Sequence, residues 1–227
     1  GDILELAQRY EDEGADELVF YDITASVEGR ALDLQWVEKI SSVLSIPFCV
    51  AGGIRTAQAA RLILNLGADK ISINSPALER PALITELARE FGRQSVVVSV
   101  DSRRMADGSH AVFLYSGDQH KTVLTARSTE EWLGELQDLG AGEVVLNCIN
   151  RDGTGEGYDL EQLSMARSIL SIPLVASGGA RSIGHFVDLF NQTDADGALA
   201  ASAFHRRILT LPDLKRELIK HNIEVRS

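Results

Sequence analysis

Two Gly-Gly pairs, Gly52-Gly53 and Gly178-Gly179, are the first candidates for chemistry in this sequence. Each pair ends a copy of one apolar segment, at residues 46–55 and again 126 positions later (178 minus 52) at residues 172–181. Both copies have the pattern of a short strand, a tight turn and the start of a helix. Glycine lets a backbone approach an anion closely, and the N–H groups of the following turn point at it. We therefore expect each turn to form part of a phosphate site.

Polar residues at the ends of the next predicted strands extend both turns. Asn74-Ser75 follows the strand after the first turn, and Ala201-Ser202 follows the strand after the second. Side-chain amides and hydroxyls add hydrogen-bond donors for a phosphate. Paired glycines also form ordinary strand-to-helix turns, but their recurrence beside a second serine favours binding. The first cradle is defined as Gly52, Gly53, Asn74 and Ser75, and the second cradle as Gly178, Gly179, Ala201 and Ser202. Ser177, which precedes the second glycine pair, is a further candidate for phosphate binding. We expect the two cradles to face each other across one barrel mouth.

Asp101 is the candidate catalytic residue. It ends an apolar strand predicted over residues 95–101, a setting in which burial readies a carboxyl group for general acid–base chemistry. The alternative is a solvated acid paired with Arg103 and Arg104. The 126-residue offset places an equivalent acid upstream of Gly1, so we expect a second carboxylate in a preceding segment.

Two further acids follow predicted strands. Asp22 ends the first strand, and Asp152, with Gly153 beside it, lies in the loop after the strand over residues 143–149. Both acids are candidates for the mouth of the site. Ligand contact and loop structure remain two open interpretations for each.

The pattern of elements predicts an α/β fold, a (βα)8 barrel with two similar halves. Helices and strands alternate from a leading helix over residues 2–13 to a last helix over residues 213–220, with about seven strands, each followed by a helix. We expect one domain over residues 1–227, with the half-barrel repeat at about residues 15–78 and 141–205. The leading helix has no strand before it, so the first strand is expected upstream of Gly1. An open doubly wound sheet is the alternative, and it predicts no half-domain repeat.

The segment over residues 102–128 interrupts this alternation. Asp107-Gly108 is typical of a turn, and residues 111–115 are predicted to be the far arm of a hairpin. Long ordered excursions are often functional.

Composition excludes several classes of protein. The 227 residues carry a net charge of -11, which disfavours binding to nucleic acid. No apolar run has the roughly 20 residues that a membrane span needs, and no signal-peptide pattern is present. Cys49 and Cys148 lie in apolar strands without a CxxC pattern, which favours buried, reduced thiols in a cytoplasmic protein over a disulfide.

Several segments together resemble the cyclase subunits of imidazole glycerol phosphate synthase. The resemblance runs from Gly1 to the C-terminus in one register and is carried by short, specific strings of residues. These strings are Asp22–Ser26, Val50–Ile54, Asp69–Asn74, Asn150–Thr154, Ala176–Gly179 and Ala198–His205.

The resemblance implies a lyase of histidine biosynthesis. Such a cyclase takes ammonia from a glutaminase partner and converts phosphoribulosyl-formimino-aminoimidazole-carboxamide ribonucleotide, which has a phosphate at each end. The products are imidazole glycerol phosphate and aminoimidazole carboxamide ribotide. The resemblance implies a heterodimer, with the glutaminase at the N-terminal face of the barrel. It implies no cofactor and no metal.

The resemblance also implies roles for particular residues. Asp101 corresponds to one of two catalytic acids. The phosphate contacts correspond to Gly53, Asn74, Ser75, Ser116, Gly179 and Ser202. The charged residues at the starts of strands, Glu17, Lys70 and Glu143, resemble a gate through which ammonia enters the barrel.

The sequence departs from the resemblance at its start. The family's first strand, with the second catalytic aspartate, a lysine-bearing loop and a gate arginine, is not among these residues, so little cyclase activity is expected of this chain alone. Three alternatives remain open: the isomerase of the same pathway, a paralogous amidotransfer synthase, and a non-catalytic barrel that binds a glutaminase.

Overall fold

The computed structural model describes residues 2–22, 34–116 and 121–226. The strands are β1 (Leu18–Tyr21), β2 (Phe48–Ala51), β3 (Lys70–Ile73), β4 (Val96–Arg104), β5 (His110–Leu114), β6 (Val123–Ser128), β7 (Glu143–Cys148), β8 (Leu174–Ser177) and β9 (Gly197–Leu199). The helices are α1 (Ile3–Asp12), α2 (Gln35–Ser41), α3 (Ala57–Asn65), α4 (Ser75–Glu79), α5 (Ala82–Phe91), α6 (Thr129–Leu139), α7 (Leu160–Ile169), α8 (Ile183–Gln192), α9 (Ser202–His205) and α10 (Leu211–Lys220), and Arg93–Ser95 forms a 3-10 turn. Residues 23–26, which carry part of the resemblance, lie outside the described residues.

The strands form one sheet in the order β1-β2-β3-β4-β7-β8-β9. The pairs β1–β2, β2–β3, β3–β4, β7–β8 and β8–β9 are parallel, and a helical segment lies between the two strands of each pair in the chain. Parallel strands that follow each other in sheet order, with a helix after each, are the architecture of the (βα)8 class. The predicted α/β fold class is therefore confirmed.

The chain divides into two compact units. The first unit contains Gly1–Val98, Leu114–Val123 and Asp138–Gly142, and the second contains Ser99–Phe113, Leu124–Gln137 and Glu143–Ser227. The first unit has a core of aliphatic side chains from α3, α5 and β3, among them Ile63, Leu83 and Ile71, which are fully buried. The second unit buries Trp132, Leu133 and Leu136 of α6 together with Phe186 of α8.

Helix starts follow from capping residues in the sequence. The side chain of Thr56 accepts a hydrogen bond from the Ala59 N–H at 3.2 Å where α3 begins, and Asp159 accepts one from Gln162 at 3.1 Å where α7 begins. These side chains satisfy backbone donors that the first helical turn leaves without intrahelical partners. Pro81 immediately precedes α5, where its missing N–H removes no intrahelical hydrogen bond.

The two units contain the same hydrogen bonds at positions 126 residues apart, or 127 apart for the aspartates (196 minus 69). Oδ2 of Asp69 accepts a hydrogen bond from the Phe48 N–H at 3.0 Å, and Oδ2 of Asp196 accepts one from the Leu174 N–H at 2.9 Å. In both pairs the aspartate N–H also donates back to the carbonyl of the same partner. A second matched pair links Leu18 N–H to Pro47 O and Val144 N–H to Pro173 O. The starts of these strands are thus fixed by matching hydrogen bonds in the two units, although the predicted half-barrel duplication and single domain remain predictions.

Strand β4 differs from its predicted end. We expected the strand to stop at Asp101, but β4 continues to Arg104. It continues because the hairpin pairs with it: Asp101 lies opposite Phe113 and Arg104 opposite His110 in an antiparallel ladder. Asp101 therefore lies inside a strand. The predicted far arm of the hairpin is confirmed as β5, and the turn is closed by a hydrogen bond of 2.8 Å from Met105 N–H to Ser109 O.

Other elements were not predicted. Strand β6 pairs with β5, but much of it is exposed, so it has no alternation of apolar and polar residues to mark it. The short helices α4 and α9 begin at Ser75 and Ser202 and are too brief for helical periodicity. Strand β1 is half-buried, and Tyr21 at its end is 46% exposed.

The prediction of reduced thiols is confirmed, because Cys49 and Cys148 are free and buried. Burial raises the pKa of the Cys148 thiol well above its ordinary value. Within the described part of the chain, no helix has the length and apolar character needed to cross a membrane.

Candidate functional site

The first Gly-Gly turn follows β2 and requires glycine. Gly52 and Gly53 have φ angles of 106° and 69°, in the left-handed region that favours glycine. A Cβ atom on Gly52 would lie 2.3 Å from the backbone oxygen of Asp22. The Asp22 N–H donates to the Ala51 carbonyl at 2.9 Å, so the ends of β1 and β2 approach closely at this turn.

Asn74 and Ser75 lie at the end of the adjacent strand, β3. Asn74 is the residue before α4, and Ser75 is its first residue and is buried, with 5% of its surface exposed. The register pairs Ala51 of β2 with Ser72 of β3, so Gly52-Gly53 and Asn74-Ser75 leave neighbouring strands. The structure thus brings the two predicted parts of the first cradle to the ends of one strand pair.

Tyr115, which follows β5, also contacts the first cradle. The Tyr115 N–H donates to Oγ of Ser75 at 3.3 Å, and Ser116 is the next residue in the chain. Ser116, which the resemblance implies to be a phosphate contact, is therefore adjacent in sequence to a residue that contacts Ser75. Nothing in the local sequence predicted this contact, because 40 residues separate its partners.

An arginine–glutamate ion pair adjoins the first cradle. Nη1 of Arg55 lies 2.7 Å from Oε2 of Glu79, and the Tyr115 hydroxyl donates to Oε1 of Glu79. Partial burial alone would raise the pKa of the Glu79 carboxyl, but hydrogen bonds from Tyr115 and Arg55 lower it below its ordinary value. The same hydrogen bond to Glu79 raises the pKa of Tyr115.

The second Gly-Gly turn follows β8 and is equally constrained. Gly178 and Gly179 have φ angles of 99° and 97°. A Cβ atom would lie 2.9 Å from the Cys148 carbonyl oxygen at Gly178 and 2.2 Å from the Gly157 carbonyl oxygen at Gly179. The Gly157 N–H donates to the Gly179 carbonyl at 2.9 Å, which joins the loop after β7 to this turn.

Ser177 and the remaining residues of the second cradle lie at the ends of strands β8 and β9. Ser177 ends β8 opposite Leu199 of β9, and Ala201-Ser202 follows β9, with Ser202 exposed at the start of α9. The buried Tyr158 hydroxyl donates to the Leu199 carbonyl at 3.2 Å. Burial raises the pKa of Tyr158 well above its ordinary value, so the hydroxyl remains a donor at neutral pH.

Asp152 and Gly153 lie in a turn after β7. The Asp152 N–H donates to the Cys148 carbonyl at 3.1 Å, and its side chain is exposed. Gly153 has a φ of 75°, and a Cβ atom there would meet nothing within 4 Å. Backbone conformation, not packing, therefore favours glycine at this position.

Asp101 is buried, with 8% of its surface exposed, and Asn147 of β7 is its partner. Nδ2 of Asn147 donates to Oδ1 of Asp101 at 2.9 Å. The alternative of a solvated acid paired with Arg103 and Arg104 is wrong: Arg103 lies over the ring of Phe113, and Arg104 pairs with a glutamate on α7. A buried carboxylate that accepts a hydrogen bond from an amide fits general acid–base work.

Two of the three predicted gate residues form an ion pair. Nζ of Lys70, the first residue of β3, lies 2.7 Å from Oε2 of Glu17, which precedes β1. Both side chains are less than a third exposed. Glu143 is the first residue of β7, in the second unit. No cluster of three or more metal-ligating side chains occurs in the described ranges.

Comparison with known proteins identifies the family. The sequence model of the family described as "Histidine biosynthesis protein" matches residues 1–210. This chain belongs to the histidine biosynthesis protein family.

Three relatives of this chain carry the name "Imidazole glycerol phosphate synthase subunit HisF". The protein of Xanthomonas campestris pv. campestris (strain 8004) is 58% identical over 227 residues, which cover 100% of this chain and 88% of that relative. The proteins of Stenotrophomonas maltophilia (strain R551-3) and Aliivibrio fischeri (strain MJ11) are 57% and 55% identical over the same shares.

Three side chains beside the candidate residues of this histidine biosynthesis protein were given no role from the sequence. A signal existed for Asn147, which is a polar residue inside the apolar strand β7. Arg55 and Glu79 gave no such signal, since charged residues in a turn and on a short helix are usually solvated. Only the fold brings them to Tyr115.

Proposed function

We propose that this protein is the cyclase subunit of imidazole glycerol phosphate synthase, a lyase of histidine biosynthesis. The observation that carries the proposal is 55–58% identity over all 227 residues to relatives of that name. The reaction would consume ammonia and phosphoribulosyl-formimino-aminoimidazole-carboxamide ribonucleotide. It would release imidazole glycerol phosphate and aminoimidazole carboxamide ribotide.

The two cradles would each hold one phosphate of this substrate. Positive φ angles at both Gly-Gly turns support this role, because successive backbone N–H groups in turns of this kind form anion-binding concavities. Ser75 and Ser202 would add hydroxyl donors, Ser116 would contribute at the first cradle, and Asp152-Gly153 would contact the substrate near the second. That the cradles face each other remains a prediction.

Asp101 would be a general acid and base for ring closure. Its burial and its hydrogen bond from Asn147 support this role, because both fix the carboxylate in one orientation. Asp22, at the end of β1, is a second acid proposed for the same mouth.

The name of the relatives includes the word subunit, so we infer that this protein acts with a partner subunit. The partner would be a glutaminase bound at the N-terminal ends of the strands. The Lys70–Glu17 ion pair supports an entry point there, since both residues lie at strand starts. Glu143 would complete the gate.

The test is turnover of the bisphosphate by the complete protein with ammonium salt as the nitrogen source. We expect imidazole glycerol phosphate to form without the glutaminase, and Asp101→Asn to lower its rate of formation by at least about 100-fold. Asp107→Asn, on the exposed hairpin turn, is the matched control and should leave the rate unchanged. Folded protein that forms no product from this bisphosphate would exclude the cyclase and leave the isomerase, the paralogous amidotransfer synthase and the non-catalytic, glutaminase-binding barrel.

A further inference from the structure

Tyr115 has a backbone conformation that needs an explanation. Its φ is 55°, in the left-handed region, which is costly for a residue with a Cβ atom. The other non-glycine residues at positive φ in the described chain, Arg207 and Asn222, lie just after α9 and α10, where helices commonly end in this conformation. Tyr115 instead follows strand β5. Its conformation must therefore be stabilised by contacts of its own.

Each polar group of Tyr115 has a partner. Its N–H donates to Oγ of Ser75 at 3.3 Å, its carbonyl accepts from the Thr122 hydroxyl at 3.5 Å, and its hydroxyl donates to Oε1 of Glu79. Ser75 and Glu79 are the first and last residues of α4. One tyrosine thus contacts both ends of the helix that begins with the serine of the first cradle.

Glu79 connects this tyrosine to the Gly-Gly turn. While Oε1 accepts from Tyr115, Oε2 accepts from Nη1 of Arg55 at 2.7 Å. Arg55 comes two residues after Gly53. The carboxylate therefore joins the three segments that carry Gly53, Ser75 and Ser116, all of them in the first unit.

The hydrogen bond from Tyr115 determines whether the Ser75 hydroxyl acts as a donor or an acceptor toward other groups. A serine hydroxyl has one proton to donate and two lone pairs to accept with. Because Tyr115 donates to Oγ, one lone pair is occupied and the proton is directed away from Tyr115. A bound phosphate has only acceptor oxygens. A Ser75 hydroxyl whose proton points away from Tyr115 can therefore donate to it.

We propose that Tyr115 is a positioning residue, which holds Ser75 as a hydrogen-bond donor to the phosphate of the first cradle. The proposal rests on the proposed function, in which Ser75 contacts that phosphate. Tyr115 acts through Ser75 and does not need to touch the substrate itself. The Tyr115 hydroxyl, Glu79 and Arg55 maintain the strained backbone that makes this possible.

The experiment is a double-mutant cycle in the complete protein, with ammonium salt as the nitrogen source. Tyr115→Phe should raise KM for the bisphosphate about fivefold, the loss expected from one hydrogen bond, with kcat almost unchanged. Ser75→Ala should raise KM at least as much. The double variant should be no worse than Ser75→Ala, because the effect of Tyr115 passes through the serine. Additive effects in the cycle would overturn the proposal.

Glu79→Gln and Glu86→Gln form a matched pair of controls. Glu86 pairs with Arg80 at 2.7 Å, the same separation as in the Arg55–Glu79 pair, but it has no contact with Tyr115 among the described residues. Glu79→Gln should behave like Tyr115→Phe, and Glu86→Gln like the unmodified protein. Equal effects of the two glutamate variants would contradict the proposal. Thermal unfolding should show that all variants are folded.

Binding of inorganic phosphate, followed by phosphorus NMR, separates this inference from the proposed function. If the unmodified protein forms no product, the cyclase assignment fails, yet weaker phosphate binding by Tyr115→Phe and Ser75→Ala still supports the role of Tyr115. If Ser75→Ala weakens phosphate binding and Tyr115→Phe does not, only the inference on Tyr115 is wrong.

Discussion

Nδ2 of Asn147 donates a hydrogen bond to Oδ1 of Asp101 over 2.9 Å, and this joins β7 to β4 within one unit of the protein. A carboxylate accepts hydrogen bonds and an amide nitrogen donates them, so the pair is chemically matched. The rotation of the Asp101 carboxylate is restricted by this contact. The pair therefore supports a carboxylate with one fixed orientation toward its substrate.

Replacing either residue of this pair should affect catalysis to different degrees. Asp101→Asn removes the proton-transferring group and should lower kcat about 100- to 10,000-fold, the usual contribution of general acid–base catalysis. Asn147→Ala removes one hydrogen bond and should lower kcat about five- to tenfold. The measurement is steady-state turnover with ammonium salt. An Asn147→Ala variant as inactive as Asp101→Asn would mean that the amide acts on the substrate directly.

A side chain added at either Gly-Gly turn should destabilise the protein. Gly52→Ala and Gly178→Ala place a methyl group 2.3 Å and 2.9 Å from backbone oxygens, at positive φ. Each should lower the free energy of unfolding by at least about 2 kcal/mol. Gly134→Ala is the control, because Gly134 lies inside α6 with no atom within 4 Å of the added Cβ, and it should stabilise the protein by about 0.5–1 kcal/mol. Urea unfolding measures all three, and a neutral Gly52→Ala would contradict the geometry.

The proposed ammonia gate should matter only when ammonia comes from the partner. Lys70→Ala breaks the ion pair with Glu17 and should lower glutamine-driven turnover in the complex with the glutaminase. Turnover with saturating ammonium salt should persist, since ammonia then reaches the site from bulk solution. Lys39→Ala, on the exposed side of α2, should change neither rate. Equal loss of both activities by Lys70→Ala would indicate damage to the barrel instead of a gate.

The contribution of the Tyr115–Glu79 hydrogen bond to stability should depend on pH at both extremes. The pKa of Glu79 is lowered, so its contribution is present above the ordinary value of about 4.3 and is lost as pH falls through the lowered pKa. The pKa of Tyr115 is raised, so its contribution is present below about 10 and is lost as pH rises through the raised pKa.

The measurement is the difference in unfolding free energy between the unmodified protein and Tyr115→Phe. This difference should stay constant between about pH 6 and pH 9 and decrease below about pH 4. If the difference in unfolding free energy does not decrease below about pH 4, the carboxylate of Glu79 is not the partner of Tyr115 in solution.

The sequence by itself determined the elements and their class. The alternation of strands and helices, together with one segment that occurs twice, was sufficient to predict the (βα)8 class. It could be read locally because apolar periodicity and capping residues act over a few neighbouring positions. The same local logic predicted the two turns: a glycine pair after a strand indicates positive φ, and both pairs have it.

The tertiary structure alone decided which side chains meet. Asp101 was expected at the end of a strand, but pairing with β5 extends β4 beyond it, and Asn147 from β7 becomes its partner. Arg55, Glu79 and Tyr115 come together from three segments with no shared pattern. Long-range contacts of this kind depend on strand register and on the path of a hairpin. These are set by the packing of the whole unit, which no local stretch of residues encodes.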